Sequence, residues 1–586
     1  MAGFTMALAV LPATLLAAAG MAGLGALVLR FQGEAWADLG VGWGVLGLAL
    51  LLTSAMGLPV LPALLPLLLG GLLAFAWRCR PGRATLLLAL LVVPLLLLAA
   101  AMPITAWDDY SHWLANARYL LRHDSFPREG LPQPVSWHGG YPYGVALVTY
   151  AASLPLRVLG VAPLAETAAP VFSLLLLASL AAGLVARAGR PATPWVVALV
   201  VLLVFWLNPG FVPRIVFTNY GEAPTTALLA LAALLLLRPD RAAQWQAALV
   251  LAAVVNVKQT GLVLALLMLA GAALLALAER RRPWHLAVLA GPMLLTWWLW
   301  QPHAAAGGVF GFKPLAEWAW PMAWQTLASI GTVMLRKIFF TLLLLAMLGL
   351  AVLALWRGRR DPAARLALLA APMLAGWPAF LFLTYMGGSF APDEVVRAAS
   401  FWRYGTQLGG LLMAGVALLL LAQPLPRPLA GLLRRRWPLP AACAALLLLP
   451  LAGFNLLWPN KREAAPPLRR TLAALAPAIP PGSVLAVMDP TGNGFGAVVT
   501  DFALQGRARV VLPARAYGSV TLDEATLRER LDEDQPSLAL QLSSDAASLA
   551  VLATPPLPPG QWRLLRAAGT GWEVAASGQL GAGPRP

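Results

Sequence analysis

The sequence predicts an α-helical polytopic membrane protein, with about 13–14 spans, that ends in a small α/β domain. Three observations favour this fold class. Of the 586 residues, 60% are hydrophobic and only 11% are charged, which is too few charges to cover a soluble core of that size. Apolar runs of about 20 residues recur along the chain, and each could cross a hydrocarbon layer of about 30 Å. After Trp458 the composition changes to short segments of ordinary charge density.

The apolar runs give the order of the predicted spans. The first run, 4–30, is interpreted as a retained span because it lacks the basic region and cleavage site of a signal peptide. The region 43–77 holds one or two spans, divided around "MGLPVLP". The later runs are 84–104, 165–187, 192–208, 223–238, 243–257, 260–278, 284–301, 333–356, 364–385, 405–422 and 438–457. We therefore divide the chain into extra N-terminal helices (1–83), a transmembrane module (84–457) and a C-terminal domain (458–586).

Arginines orient these spans. The net charge is +17, but most arginines before the C-terminal domain lie in short loops between apolar runs. That distribution is typical of cytoplasmic membrane loops and argues against a nucleic-acid partner. The clusters are Arg78, Arg80 and Arg83; Arg187 and Arg190; Arg238 and Arg241; Arg280 to Arg282; Arg357, Arg359 and Arg360; and Arg427 with Arg434 to Arg436.

All of these clusters can lie in the cytoplasm on one condition. The run 141–159 is short and contains Pro142 and Pro155, so it is predicted to form a re-entrant or interface-lying helix that does not cross completely. The N-terminus lies outside if 43–77 holds two spans and inside if it holds one. Both alternatives stay open.

This topology gathers polar residues on the opposite, non-cytoplasmic face. A long first loop at about 105–164 contains "AWDDYSHWLANARYLLRHDSF" and "HGGYPYG". The stretches "FTNYGE" (217–222), "NVKQT" (256–260) and "SFWRYG" (400–405) fall on the same face. We expect a functional site there, facing the periplasm from a bacterial inner membrane.

The C-terminal segment predicts an α/β domain on the periplasmic side. "SVLAVMD" and "ARVVLP" indicate strands, "LDEATLRERLDE" an exposed helix, and "QWRLLRAAGTGWEVAAS" a hairpin. The stretch "DPTGNGFG" (489–496) spaces its glycines as G-x-G-x-G, which favours a turn over a dinucleotide site. Cys79 and Cys443 are far apart in the chain, so neither a disulfide nor a metal site is expected from them.

Asp108 and Asp109 are the first site candidates. One interpretation is an interfacial loop in which Trp107 and Trp113 anchor the membrane surface. The other is a carboxylate pair at the mouth of an apolar cavity, where proximity and burial would favour a general base. The residues that follow have the spacing of an amphipathic helix, and its N-terminal dipole would favour the ionised carboxylates.

Three stretches together resemble the GT-C superfamily of membrane glycosyltransferases, which includes the protein O-mannosyltransferases and the lipid A aminoarabinose transferase. The acidic pair, amphipathic helix and "HGGYPYGVALVTYAASL" are similar to the first periplasmic loop of that family. "FTNYGEAPTTALLALAALLL" resembles its Tyr-X-acidic motif, and "SFWRYGTQLGGLL" its Arg-Tyr motif. The matches follow the family's order across most of 84–422. The chain departs from the family by carrying Asp-Asp for the commoner Asp-Glu and by lacking the usual proline after Arg-Tyr.

The resemblance implies a GT-C-like catalytic module that transfers a sugar with inversion from a polyprenyl-phosphate donor to a glycan, lipid or protein acceptor. It implies Asp108 as the base and Asp109 as its partner. Arg403 and Lys258 are expected to bind the donor phosphate, and Glu222 to orient a sugar hydroxyl or the acceptor. The remaining predicted substrate-binding residues are His112, His138, Tyr141, Tyr220 and Tyr404.

Each of these assignments has an alternative. Arg403 fits a snorkelling arginine at the start of a span, and Lys258 fits an ordinary loop lysine. His112 and His138 are candidate ligands of a divalent metal ion, but their spacing matches no dedicated motif, and aromatic packing at the interface competes with that role. The rival functions are a flippase or transporter of lipid-linked oligosaccharide, a glycan polymerase or ligase, and a scaffold that displays the C-terminal domain.

Overall fold

The computed structural model describes residues 2–78, 82–187, 193–208, 213–308, 311–358, 361–422, 438–452, 465–490, 494–511, 523–569 and 571–581. Its helices up to residue 307 are α1 (Ala2–Val28), α2 (Asp38–Ala55), α3 (Leu61–Arg78), α4 (Arg83–Ala101), α5 (Leu114–His123), α6 (Gly144–Val158), α7 (Ala168–Arg187), α8 (Pro194–Val201), α9 (Pro213–Val216), α10 (Glu222–Leu236), α11 (Arg241–Val257), α12 (Gly261–Ala278), α13 (His285–Leu289) and α14 (Gly291–Gly307).

The later elements are α15 (Ala323–Arg336), α16 (Ile338–Arg357), α17 (Pro362–Gly387), α18 (Pro392–Val396), α19 (Phe401–Gly405), α20 (Gly409–Ala422), α21 (Pro438–Ala452), α22 (Ala465–Leu475), β1 (Ser483–Met488), α23 (Phe495–Leu504), β2 (Ala508–Val511), α24 (Glu524–Asp534), β3 (Leu538–Gln541), α25 (Ala546–Leu552), β4 (Gln561–Ala568) and β5 (Gly571–Gln579).

The predicted fold class is confirmed. In the part of the chain that the structure describes, nine helices are long and apolar enough to cross a membrane. Shorter helices occupy the other predicted spans, namely α8 with its π-helical continuation Leu202–Leu207, α10, α11, α14 and α21. The region 43–77 holds two candidate spans, α2 and α3, so the alternative with a single span there was wrong.

The described residues form two compact units. The first contains Met1–Met102, Asn116–Pro134 and His138–Trp458, so the predicted N-terminal helices and the transmembrane module belong to one unit. The second combines the C-terminal domain with two short pieces of the first loop, Pro103–Ala115 and Val135–Trp137.

Ion pairs gather the basic loops at one end of the helical unit. Arg78 pairs with Asp38 at 3.5 Å, and Arg238 pairs with Glu34 in the turn between α1 and α2. Arg187 donates to the carbonyl oxygen of Leu234, near the end of α10. We call this the arginine end of the unit.

A third ion pair extends the arginine end. Arg365 pairs with Glu279 at 2.6 Å and lies close enough to Arg187 for their charges to repel. These contacts place Arg78, Arg187 and Arg238 at the same end of the unit, as predicted for their loops, and the predicted cytoplasmic side of that end stays a prediction. Lying outside the described residues are Arg80, Arg190, Arg359, Arg360, Arg427, Arg434 to Arg436 and Cys79. Cys443 is a free thiol.

Helices α2 and α11 run parallel, away from the arginine end. A methyl group on Gly44 would meet the backbone of Leu249, and one on Gly47 would meet the side chain of Asn256. The C-terminal end of α11 therefore lies level with the middle of α2. Because α2 continues for eight residues beyond Gly47, the residues after α11 are recessed about 12 Å below its end.

Helix α6 begins at the recessed level of the residues that follow α11. Its first residue, Gly144, accepts a hydrogen bond from Trp43 and packs against Asn256. Farther along α6, Tyr150 donates to Asp124 (2.7 Å), whose carboxylate also accepts from the first residue of α3, Leu61. Both neighbours lie away from the arginine end, which confirms that 141–159 does not cross the unit. The geometry is that of a re-entrant helix.

The C-terminal domain is built on a five-stranded sheet with the order β2-β1-β3-β4-β5. β1 pairs in parallel with β2 and β3, and β4 is antiparallel to β3 and β5. The predicted strands β1 and β2, helix α24 and hairpin β4–β5 are confirmed, whereas β3 was not predicted. Gly494 has a left-handed φ of +80° directly before α23, which suits a glycine turn; residues 491–493 of that stretch lie outside the described ranges.

Candidate active site

Three charged side chains predicted from separate motifs meet in the helical unit. The Nζ atom of Lys258 lies 3.2 Å from Oε1 of Glu222, and Nε of Arg403 lies 3.5 Å from the same oxygen. Glu222 and Lys258 are buried, while the Arg403 side chain is 22% exposed. We call these three residues the ion cluster.

The helix ends explain why the ion cluster forms. Glu222 is the first residue of α10, where the helix dipole favours a negative charge. Lys258 directly follows the last residue of α11, where the dipole favours a positive one. The ion cluster therefore lies at the recessed level described for the end of α11.

Contacts of α19 and α20 hold Arg403 in place. The backbone N–H of Gly410 donates to Oγ1 of Thr226 at 2.7 Å, which packs α20 directly on α10. The indole of Trp377 donates to the carbonyl oxygen of Tyr404 at 3.0 Å, and Thr406 donates to the carbonyl oxygen of Arg403 at 2.6 Å. These bonds fix the short helix that carries the Arg-Tyr pair.

Tyrosine rings surround the two cations. The Arg403 guanidinium lies 4.9 Å from the ring centre of Tyr220 and 5.0 Å from that of Tyr404. It also donates to the Tyr404 hydroxyl at 3.1 Å. Lys258 lies 4.6 Å from the Tyr404 ring and 5.8 Å from the Tyr141 ring. Such cation–π contacts stabilise cations that are partly removed from water.

The re-entrant segment brings Tyr141 to the ion cluster. The carbonyl oxygen of Gly140 accepts hydrogen bonds from Trp300 (3.0 Å) and Gln259 (3.3 Å). The imidazole of His138 stacks on Tyr141, with the ring centres 4.6 Å apart and the planes 9° apart. Seven of the predicted site residues are thus adjacent in the helical unit: His138, Tyr141, Tyr220, Glu222, Lys258, Arg403 and Tyr404.

The cluster carries an excess of positive charge. With all three groups ionised, two cations share one carboxylate, which leaves a net charge of +1. The Lys258 ammonium has three hydrogens, so its hydrogen bond to Glu222 leaves capacity for another acceptor. The arrangement is suited to an anion with several acceptor oxygens, such as a phosphate.

The alternatives for Lys258 and Arg403 are wrong. An ordinary loop lysine would extend into water, but Lys258 is 7% exposed and paired with Glu222. A snorkelling arginine would direct its guanidinium to the membrane surface, but Arg403 directs its guanidinium to Glu222 and two tyrosine rings.

The aspartate pair belongs to the second compact unit. Asp109 begins a π-helical turn (Asp109–Trp113), which is closed by a hydrogen bond from the Leu114 N–H to the Asp109 carbonyl oxygen. The side chain of Asp109 is buried, whereas Asp108 is partly exposed. Single π-helical turns occur frequently at functional sites. Because Asp109 is buried, Asp108 is the more accessible of the two carboxylates to a substrate.

The predicted amphipathic helix is confirmed as α5, and its suitability for the membrane surface stays a prediction. Leu114, Asn116 and Tyr119 on different sides of α5 are all buried, and Arg122 is exposed. The buried side of α5 is therefore wider than the predicted apolar face, since it also includes Asn116 and Tyr119.

His112 lies with the aspartate pair in the second unit. It is buried, its Nδ1 lies 2.8 Å from the Ser111 hydroxyl, and its ring packs on Trp113 with 4.9 Å between ring centres. Across the described residues, no group of three or more His, Cys, Asp or Glu side chains could hold a metal ion.

Three supporting residues were not predicted as part of the site: Gln259, Trp300 and Trp377. Gln259 lies within the polar stretch "NVKQT". That position could have indicated a role, because an amide side chain at the end of an apolar run needs a hydrogen-bond partner. The two tryptophans have no such signal, since they lie within ordinary apolar helices.

The chain was compared with known proteins. No protein-family model matches it, and no curated protein matches its sequence. The geometry of the ion cluster and the chemistry of its residues are therefore the basis for a functional proposal.

Proposed function

We propose that this protein is an inverting glycosyltransferase of the GT-C type, which moves a sugar from a polyprenyl-phosphate donor to a glycan, lipid or protein acceptor. In this proposal it lies in a bacterial inner membrane, and the face opposite the arginine end looks toward the periplasm together with the C-terminal domain. The observation that carries the proposal is the ion cluster, in which Glu222, Lys258 and Arg403 meet among tyrosines.

The ion cluster suits the phosphate of a lipid donor. Buried ionic groups are costly to keep in a membrane protein and mark functional sites by default. Arg403 presents a planar fork of donors that matches phosphate oxygens, and Lys258 adds a compact positive charge. A donor whose lipid tail remains in the bilayer would bring its phosphate to the recessed level of these residues without leaving the membrane.

The aspartate pair supplies a base for the same reaction. Asp108 would accept the proton of the acceptor hydroxyl, and the resulting oxygen would attack the anomeric carbon of the sugar. The bond between that carbon and the phosphate oxygen would break, and its electron pair would leave with the polyprenyl phosphate. Arg403 and Lys258 would stabilise the charge that develops on the departing phosphate.

The decisive experiment offers labelled donors to the purified protein. Polyprenyl-phosphate sugars carrying a radiolabel in the sugar are reconstituted in liposomes with a periplasmic glycan extract. The proposal expects label in the acceptor with loss of labelled donor, and it expects transfer by Asp108→Asn to be slower by about 10² to 10⁴. Absence of transfer from every donor, at matched protein levels, would refute the proposal.

A flippase is the second candidate, because charges recessed within a helical unit are also found along transport pathways. The same liposomes distinguish the two functions. Movement of intact donor between leaflets without sugar transfer would establish the flippase. Transfer of whole oligosaccharides from a lipid-diphosphate donor would instead identify a polymerase or ligase.

A further inference from the structure

Tyr110, which directly follows the aspartate pair, is held by the C-terminal domain within the second compact unit. Its ring lies 5.2 Å from that of Phe502 and 6.2 Å from that of Phe495, both in edge-on geometry, on helix α23. The Arg469 guanidinium of α22 lies 5.8 Å from the same ring. Tyr110 is only 2% exposed, so these contacts account for a buried aromatic side chain.

The backbone around Tyr110 is also fixed. The tyrosine hydroxyl donates to the carbonyl oxygen of Ile104, which closes the segment before the pair. The carbonyl oxygen of Ser111 accepts from the backbone N–H of Trp137 at 2.9 Å. Trp107 packs edge-on against Trp137 with 5.0 Å between ring centres. Residues before and after the aspartate pair in the chain therefore make hydrogen bonds or ring contacts that hold the backbone in place.

We propose that the C-terminal α/β domain positions the aspartate pair, by gripping Tyr110 between α22 and α23 and so maintaining the π-helical turn. An α-helix turns each successive side chain by about 100°, and the wider π turn alters that progression directly after Asp108. Without these contacts the turn would change its hydrogen-bonding pattern, and the direction of the Asp108 side chain would change with it. Tyr110 is thus a positioning residue, and its importance for turnover rests on the proposed function.

The test uses the full-length protein in lipid nanodiscs. Tyr110→Ala removes the gripped ring, Tyr110→Phe keeps the ring but removes the hydroxyl, and Phe502→Leu alters the domain side of the contact. Val574→Ala, at a 55% exposed position on β5, is the matched control. Amide hydrogen exchange of residues 104–115 is measured for each variant, together with kcat and the donor KM.

Tyr110→Ala should raise exchange in 104–115 by about tenfold or more, since it removes both the buried area of the ring and its edge-on contacts with Phe495 and Phe502. It should lower kcat by a similar factor while the donor KM stays within about twofold. Phe502→Leu should change both quantities in the same direction, and Tyr110→Phe should restore most of kcat. The control should match the unmodified protein.

Two results would overturn the positioning role. One is unchanged exchange of 104–115 in both Tyr110→Ala and Phe502→Leu. The other is faster exchange confined to the C-terminal domain. If the unmodified protein transfers no sugar, the proposed function fails, and the exchange data alone still decide whether the domain holds the segment.

Discussion

Glu222 lies between two cations at the first turn of a buried helix. A buried ion pair contributes little net stability, because the cost of removing both charges from water offsets their attraction. An apolar residue at the start of the helix would avoid this cost of removing charges from water. Stability alone therefore gives little reason for three ionised side chains at one place, which supports the proposal that they bind a charged ligand.

Arg403 is the residue whose replacement tests phosphate binding. Arg403→Ala should raise the donor KM by about ten- to a hundredfold, since a hydrogen bond to a charged group contributes about 1.5–3 kcal/mol. Arg403→Lys should give an intermediate value, because it keeps the charge but loses the fork. Steady-state kinetics at matched expression provide the measurement. Arg397→Ala, at a nearby arginine whose side chain is 62% exposed, is the control, and equal KM values for both alanine variants would contradict the assignment.

Asp108 is the residue whose replacement tests general-base catalysis. Asp108→Asn keeps the shape of the side chain but cannot accept a proton, so turnover should fall by about 10² to 10⁴ while donor affinity persists. Asp109→Asn should cost less turnover, because the Asp109 side chain is buried. Asp393→Asn, at an exposed carboxylate, is the control. Near-normal turnover in both pair variants would remove the first-loop carboxylates from the mechanism.

At the scale of elements, the re-entrant segment depends on close backbone packing. A methyl group on Gly140 would overlap the carbonyl oxygens of Ala304 and Gly308. Gly140→Ala should therefore displace the segment, move Tyr141 from Lys258, and destabilise the protein by about 1–3 kcal/mol. Thermal unfolding and the donor KM provide the measurements. Gly311→Ala, which adds a methyl group in open space, should leave both unchanged, and an unaffected Gly140→Ala would show that the segment tolerates repacking.

Helix α24 has a pH-sensitive first turn. The side chain of Asp523 accepts a hydrogen bond from the backbone N–H of Thr526 at 2.8 Å, and this bond lowers the pKa of Asp523 below its usual value of 3.8. Because the folded pKa is the lower one, the cap stabilises the helix above pH 3.8, and this stabilisation disappears as the pH falls through the folded pKa.

The pH dependence can be measured by amide exchange of residues 524–534 in the full-length protein, corrected for intrinsic rates. Helix opening should increase between about pH 5 and pH 2.5. Asp523→Asn keeps a capping oxygen but cannot titrate, so its opening should change less with pH. Parallel pH profiles of the two proteins would exclude Asp523 as the source.

The elements that could be predicted from sequence are those with a local signal. Hydropathy located the long helices, and Pro142 and Pro155 marked the run that became α6. Strand β3 was missed because "LALQ" is too short for its periodicity to distinguish strand from helix. The depth of Lys258 could not be predicted either, since it follows from the contacts of Gly44 and Gly47 with α11, and a glycine's sequence position does not name its neighbour.

The site residues divide in the same way. Glu222 and Arg403 were predicted because their stretches resemble family motifs, and Lys258 because it is a cation in a polar stretch between apolar runs. That Lys258 and Arg403 contact the same oxygen of Glu222 was not predictable, since it depends on how α10, α11 and α19 pack. Tyr110 was overlooked because an aromatic residue near a span end resembles a membrane anchor, and only its packing on Phe502 distinguishes the two roles.

At the scale of the whole molecule, the arginine end gives a topology that can be tested. Reporter fusions after Arg187 and Arg282 should report the cytoplasm, because basic loops are retained there. A fusion after Gly569 should report the periplasm. The three fusions need equal expression for comparison. A cytoplasmic signal at Gly569 would reverse the face assigned to the C-terminal domain and contradict the proposed location of the reaction.

The recessed level of Lys258 has an electrical consequence. With the end of α2 taken as the outer boundary of a hydrocarbon layer of about 30 Å, a depth of about 12 Å corresponds to two-fifths of its thickness. Moving one charge across a full 100 mV costs about 2.3 kcal/mol, so in the proposed orientation a phosphate descending to this depth would work against roughly 1 kcal/mol of membrane potential per charge. Occupancy of the ion cluster would then vary with the energetic state of the cell, and a depolarised membrane would fill it more readily than an energised one.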